Sequence, residues 1–393
     1  MNIYDPVHIA QALIRCPSIT PFEGGALTFL EEVLKQHKFD VNRITFGEQG
    51  TQKVENLYAR FGNHGPNLCF AGHTDVVPPG NEQNWSYPPF AAEINNGYLY
   101  GRGAADMKGG IACFIAAAAR TLNAKGKLPG SISLLITGDE EGPAINGTAK
   151  MLDWLHSHEE SLDGCIVGEP TCANHLGDTV KIGRRGSLTA YLTVLGAQGH
   201  VAYPQYADNP IPKLMRIADR IANIELDTGN DSFEPSNLEI TVISTSNKVS
   251  NVIPSEAEMT FNVRYNNNWS RNSIENCLAD LCHKESEEIG ANINLTFSST
   301  AEAFLTKPGS LVNATKDAVK QVTGCVPELS TSGGTSDARF IQACCPVVEF
   351  GHINKTIHQI DERVAINDIY RLTSVYEHII NLYFGNKLRL NVY

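Results

Sequence analysis

The sequence predicts an α/β protein whose sheet is covered by helices on both faces, with a smaller α+β unit inserted into it. Three observations carry this. Apolar runs at 67–71, 131–137 and 163–167 show no polar alternation, as expected of strands buried on both faces. Stretches at 6–15, 24–38 and 109–126 instead space their apolar residues by three and four, the helical period. From about residue 185 to 299 the texture changes to apolar and polar residues in strict alternation, the mark of strands with one wet face.

Taken in order, 54–60 and 67–71 read as strands. GGIACFIAAAARTLNAKG (109–126) reads as a helix that Gly126 stops. SISLLITGDEE (131–141) is a buried strand ending in three acids, and DGCIVGEP (163–170) is another ending in Gly168, Glu169 and Pro170. GSLTAYLTVLG (186–196), SNLEITVIST (236–245) and AEMTFNVRY (257–265) are half-solvated strands, with helices at 210–224 and 270–289 between them. A helix at 308–324 and a buried strand at 345–351 return to the first texture, and His358 follows.

Composition narrows the function. At 393 residues the chain suits two domains, and its 42% hydrophobic and 19% charged residues are those of a globular protein. A net charge of −12 without a Lys/Arg block argues against nucleic acid and membrane surfaces as partners. The ten cysteines are scattered without a C-x-x-C, and Cys69, Cys113 and Cys165 sit in apolar runs, so they read as buried free thiols of a reducing compartment. MNIYDPVHIAQALIR has an early acid and no apolar stretch of the signal-peptide kind, and the run at 111–119 is too short to span a bilayer. A cytoplasmic protein is the expectation.

In such sheets ligands lie beyond the carboxyl ends of the strands. Three strands end there in His73/Asp75, Glu140/Glu141 and Glu169. The H-x-D spacing puts His73 and Asp75 on one side of an extended chain, where Asp75 can orient the imidazole of a metal-binding His73. Alone, the pair also reads as a surface turn. GRGAADMKGG (101–110) lacks the P-loop lysine pattern, so it is not a phosphate loop. Its Asp106 can bridge two metals, though taken alone it reads better as a helix N-cap. Adjacent Glu140 and Glu141 face opposite ways, so one can bind metal while the other serves as general base; alone they read as a solvated acidic turn. His358 in NKTIHQIDE (354–362) is by itself an ordinary loop histidine. Together, two histidines and several carboxylates at one sheet edge suit a pair of zinc ions with an open position for water.

These motifs, AGHTDVVPPG, YGRGAADMKGG, ITGDEEG, VGEPT and TIHQIDE, resemble in type and order the M20 family of co-catalytic zinc amidohydrolases and peptidases. GRRGSL (183–188), QGHVAYP (198–204), SNVIP (250–254) and STSGGTSDARF (330–340) resemble one deacylase branch of it. The resemblance implies a zinc-peptidase-like catalytic domain with a mixed, mostly parallel sheet (1–184 and 300–393) and an inserted dimerisation or lid domain (185–299). It implies two Zn2+ per subunit, with Co2+ or Mn2+ as substitutes. His73 and Glu169 would hold one, Glu141 and His358 the other, and Asp106 would bridge. Asp75 would orient His73, Glu140 would be the general base, and His200 would reach the partner subunit's site to stabilise the oxyanion. A small dicarboxylate amide would be bound by Arg184, Ser187, Tyr203, Asn251, Arg264, Thr335 and Asn354, with Arg339 as a further candidate. His352 stands where the family commonly has proline, and is a histidine easily mistaken for a ligand. The same motifs serve other deacylases and dipeptidases of the family. A non-catalytic relative would lack ligands, and none of these is missing.

Overall fold

A computed structural model describes residues 2–390. The chain divides into two compact units: Met1–Ile182, Thr306–Ser330 and Ser336–Tyr393 form one, and Gly183–Leu305 with Thr331–Thr335 the other.

The first unit is built on an eight-stranded sheet. In chain order its strands are β1 (Asp40–Phe46), β2 (Val54–Phe61), β3 (Asn67–His73), β4 (Ser131–Thr137), β5 (Gly164–Val167), β6 (Thr179–Lys181), β7 (Glu328–Ser330) and β8 (Val347–Glu349). In space they run β1-β2-β4-β3-β5-β8-β6-β7. β4, β3, β5 and β8 are parallel neighbours, while β1 and β2 join antiparallel at one edge. β6 meets β8 antiparallel and pairs parallel with β7. The sheet is therefore mixed and mostly parallel. Every residue of β3 and β4 is buried, which is why these strands show no alternation.

Aromatic contacts tie the helices to this sheet. Phe70 of β3 stacks on Phe114 of helix Gly109–Lys125 at 4.4 Å between ring centroids. Tyr376 of helix Ile366–Leu390 meets both edge-on at 5.7 Å. Such edge-to-face packing adds to the burial of all three rings, so truncating Phe114 to alanine would cost about 3–5 kcal/mol. The helix over 109–125 begins with two glycines for a steric reason. A Cβ on Gly110 would lie 2.7 Å from the Gly168 carbonyl oxygen, so the helix start reaches the end of β5 only without a side chain.

The second unit is a four-stranded antiparallel sheet ordered Asn237–Ser244, Glu256–Tyr265, Gly186–Leu195, Asn292–Ala301. Alternate residues, among them Leu188, Ala190, Leu192, Met259, Phe261 and Val263, bury against Leu214, Ile217, Ile274 and Leu278 of helices Pro210–Ala222 and Arg271–Glu288. That single apolar face accounts for the period-two pattern. All ten cysteines are free thiols, with Cys69, Cys113 and Cys165 buried. No described helix is long and apolar enough to cross a membrane.

Candidate metal centre

β3 runs fully buried to its last residue, His73, whose side chain is 1% exposed. Its Nδ1 donates to the Asp75 carbonyl oxygen at 2.9 Å, so that in the neutral ring Nε2 is the nitrogen that carries the lone pair. Nε2 faces Asp106 Oδ1 at 3.2 Å, Glu169 Oε1 at 3.6 Å and Glu140 Oε2 at 3.9 Å. The orienting group thus differs from the expectation: it is the main chain of Asp75, and the carboxylate stands at 3.6 Å. The carboxylate is engaged elsewhere, accepting the N–H groups of Glu140 at 3.3 Å and Glu141 at 3.1 Å. One residue thereby positions both the histidine and the turn of the paired glutamates.

Asp106 does not cap the helix. No side chain caps the helix that starts at Gly109. The loop before it is instead organised by Glu362, which is fully buried and accepts the N–H groups of Gly103, Ala105 and Asp106 at 2.9–3.1 Å together with Arg102 Nη1 at 2.8 Å. The Asp106 carboxylate turns inward. Its Oδ1 faces His73 and its Oδ2 faces His358 Nε2 at 3.4 Å. His358 adopts φ +60° and also meets Glu141 Oε1 at 2.9 Å. Glu140 therefore leans toward His73 and Glu141 toward His358, the opposed facing expected of neighbours.

The donors suit divalent metal. Ligands about 2.0–2.2 Å from a tetrahedral ion lie roughly 3.3–3.6 Å from one another. The His73–Asp106, His73–Glu169 and His358–Asp106 separations of 3.2, 3.6 and 3.4 Å are of that size. Glu169 Oε1 is buried and accepts no hydrogen bond, an orphaned oxygen that a cation would satisfy. Two sets of donor atoms converge within 4.8 Å, His73 with Glu140 and Glu169, and His73 with Asp106 and Glu141.

The model of peptidase family M20/M25/M40 matches residues 69–382, a span that holds every one of these side chains. The chain belongs to this family. Among M20 relatives, succinyl-diaminopimelate desuccinylase of Rhodospirillum centenum is 52% identical over 381 residues, covering 97% of this chain and 98% of that one. Aminopeptidase PepT of Bacillus cereus shares the fold with a TM-score of 0.78 at 19% identity, over 98% of this chain and 99% of that one. The Bacillus subtilis YXEP protein, described as a dinuclear metal binding peptidase of the M20 family, superposes with a TM-score of 0.72 at 14% identity, over 97% and 98%.

Electrostatics mark this M20 centre as a place that wants positive charge. Burial pushes Glu140 up to about 8, with the nearby Asp337 and Glu141 carboxylates adding to the rise. Burial also raises Glu169 well above the carboxylate range, helped by Asp106 and Glu140. His358 is raised to about 10 by its hydrogen bonds to Asp106 and Glu141. Burial opposes a charged His73, but Asp106, Glu140 and Glu169 outweigh it and raise the ring well above its usual value. Five carboxylates crowd two imidazoles, and without metal they must share protons.

Asp75, Asp106, Glu140, Glu141, Glu169, His73 and His358 all lie in the first unit, as does Asn354, whose N–H bonds the Cys172 carbonyl at 2.9 Å. His352 is buried away from the donor sets, with Nε2 3.9 Å from Cys113 Sγ. Arg339 lies over the Phe340 ring at 4.6 Å.

The remaining candidates belong to the second unit and form two groups. His200, Tyr203 and Asn251 are exposed around one two-stranded ribbon, Gly199–His200 against Val252–Ile253: His200 pairs with Val252, its ring lies 5.7 Å from Tyr203, and Val201 N–H bonds the Asn251 carbonyl at 3.0 Å. Ser187 sits opposite Arg264 in the sheet register. The buried Arg184 donates to the Ser332 carbonyl at 3.2 Å, in the loop that carries Thr335. Sequence reasoning missed Glu362 and Arg102 as organisers of the Asp106 loop, although Glu362 is the last letter of the quoted TIHQIDE.

Proposed function

We propose that this chain is a cytoplasmic, homodimeric dizinc amide hydrolase that cleaves N-succinyl-LL-2,6-diaminopimelate to succinate and LL-2,6-diaminopimelate, in lysine and diaminopimelate biosynthesis. The observation that carries the substrate is the 52% identity to a succinyl-diaminopimelate desuccinylase along 97% of the chain. The branch motifs GRRGSL and STSGGTSDARF support it.

In this reading His73 and Glu169 would hold one zinc and Glu141 and His358 the other, with Asp106 as a ligand shared between them. When bound, the pair of ions polarises the amide carbonyl and lowers the pKa of the attacking water. Glu140 takes the proton from that water and hands it to the leaving amine. Its position supports the role: Glu140 stands farther from His73 than Asp106 or Glu169 does, 3.9 Å against 3.2 and 3.6 Å. Burial raises its affinity for a proton, which suits the accepting step. Asp75 holds His73 and the Glu140–Glu141 turn in register. Arg184, Ser187, Tyr203, Asn251, Arg264, Thr335 and Asn354 bind the substrate's carboxylates and amide, through cationic and neutral donors. His200 stabilises the oxyanion from the partner subunit, the inserted unit being the dimerisation surface and lid.

The test is hydrolysis of N-succinyl-LL-diaminopimelate beside N-acetylornithine, with zinc added and then removed by chelator. Zinc-dependent preference for the succinyl substrate is expected. Turnover of acetylornithine alone would keep the metal chemistry and discard the substrate.

A further inference from the structure

The segment that carries His358 is closed at its base by one hydroxyl. Thr356 Oγ1 accepts the Arg363 N–H at 3.2 Å and donates to the Arg363 carbonyl at 3.1 Å. Beside this closure lies a cavity of about 290 Å3. Lys355 and Arg363, from the two ends of the segment, both line it.

The acids around these two cations are engaged elsewhere. Asp361 accepts the N–H and the hydroxyl of Ser86 at 2.7 Å each. Glu362 holds Arg102 and the amides of the Asp106 loop. Asp368, the acid in the cavity wall, faces Arg371 at 3.6 Å. Among the described residues neither Lys355 nor Arg363 forms an ion pair. Lys355 is exposed. The Arg363 guanidinium lies 5.6 Å from the ring centres of Tyr98 and Tyr100, which seat it by cation–π attraction. It gives one N–H to the Asp361 carbonyl at 3.2 Å, which leaves the rest of its donor fork for a ligand.

Two cations in one wall repel metal ions and amines and attract an oxyanion, which a guanidinium grips bidentately and an ammonium as a point charge. With Asp368 counted, the lining keeps one net positive charge, the match for a monoanionic carboxylate rather than a phosphate dianion. His352 in the wall adds no charge near neutral pH, since burial holds it at about 4, and the Asn174 amide adds a neutral donor. Ile353, Val364 and the Tyr98 ring offer apolar surface to a carbon body. The volume is at the small end of ligand pockets.

We propose that this cavity binds a small organic carboxylate, its oxygens on Lys355 and Arg363 and its carbon body against Ile353, Val364 and Tyr98. Because the two cations stand at either end of the segment carrying His358, the bound anion clamps that segment and slows loss of metal from it. The clamp rests on His358 being a metal ligand; the binding does not.

Calorimetric titration of the metal-loaded enzyme with sodium butyrate tests this, with butan-1-ol and sodium chloride as controls. Saturable binding of butyrate alone is expected. Lys355→Gln and Arg363→Gln should each weaken it at least tenfold, and the exposed position of Lys355 keeps the first variant folded should the second fail. Butyrate should also slow transfer of metal to a chelator severalfold in the parent and in neither variant. No saturable heat, or equal binding of butan-1-ol, would overturn the proposal. Affinity unchanged in both variants would put butyrate on the metal or elsewhere and overturn the site. Binding that the variants weaken, without slower metal loss in the parent, would uphold the site and overturn the clamp.

Discussion

Glu362 accepts the backbone N–H of Asp106 at 3.1 Å, and so holds in place a side chain that offers one oxygen to each of the two histidines. Glu362→Gln would put an NH2 group where donors already point and would leave Arg102 buried without its counter-charge. Breaking a buried pair of this kind costs about 3–5 kcal/mol. A lowered unfolding midpoint and reduced metal content are expected from denaturation and elemental analysis. A variant that melts like the parent and keeps its metal would show that the Asp106 loop is held by other contacts.

Glu140→Gln should lower kcat by about 10²–10⁴ while metal content stays near that of the parent. Glu140 also lies in a donor set with His73 and Glu169, so the metal analysis is decisive. Loss of metal together with turnover would make Glu140 a ligand.

Chelation should abolish activity, and added Zn2+, Co2+ or Mn2+ should restore it. Glu169→Ala removes the orphaned oxygen at one half of the centre. It should cut the bound metal from about two ions to one per chain, as two zinc-binding sets of donors require. Two tightly bound ions in that variant would remove Glu169 from the ligand set.

His352 gives a pH prediction for stability. Burial holds its pKa down at about 4, against 6.5 when free. Between those values the unfolded chain binds the proton and the folded chain does not, so stability falls as pH drops from 6.5 toward 4. The full effect is about 3 kcal/mol. Urea unfolding of the parent and of His352→Leu at pH 7 and pH 4 measures it: the parent should lose about that much more. Parallel losses would refute the burial argument.

His200→Ala should sharply reduce kcat with little change in melting, because the side chain is exposed and its removal leaves no cavity. Full activity in that variant would rule out an oxyanion role.

Much of this was legible in the sequence, and the exceptions have causes. The buried strands and the helix over 109–125 could be read because uniform burial or a 3.6 period leaves a one-dimensional trace. β1 left none: as an edge strand it has no buried residue. Helix Thr148–Ser157 buries only three, too few for a stripe. Helix Ile366–Leu390 was not anticipated, although Ile369, Leu372, Tyr376, Ile379, Ile380 and Tyr383 form a buried stripe at helical spacing. At the site, the histidines and acids announced themselves by residue type. Asp106 misleads when read alone, because the main chain around it is held by Glu362, 256 positions later, in a loop that turns the carboxylate toward the two histidines instead of the helix start. The Asp75 main-chain contact has no sequence signal at all, since every residue owns a carbonyl.

The chain leaves the first unit after Ile182 and re-enters it at Thr306, and these two residues are joined by a hydrogen bond of 2.7 Å from the Thr306 N–H to the Ile182 carbonyl. Gly183 and Leu305 continue that contact as an antiparallel pair. Two ends so close can be spanned by a two-residue turn. The long segment of the second unit is thus set into the chain like a cassette, leaving and returning at one place, and only Thr331–Thr335 joins that unit from elsewhere in the sequence.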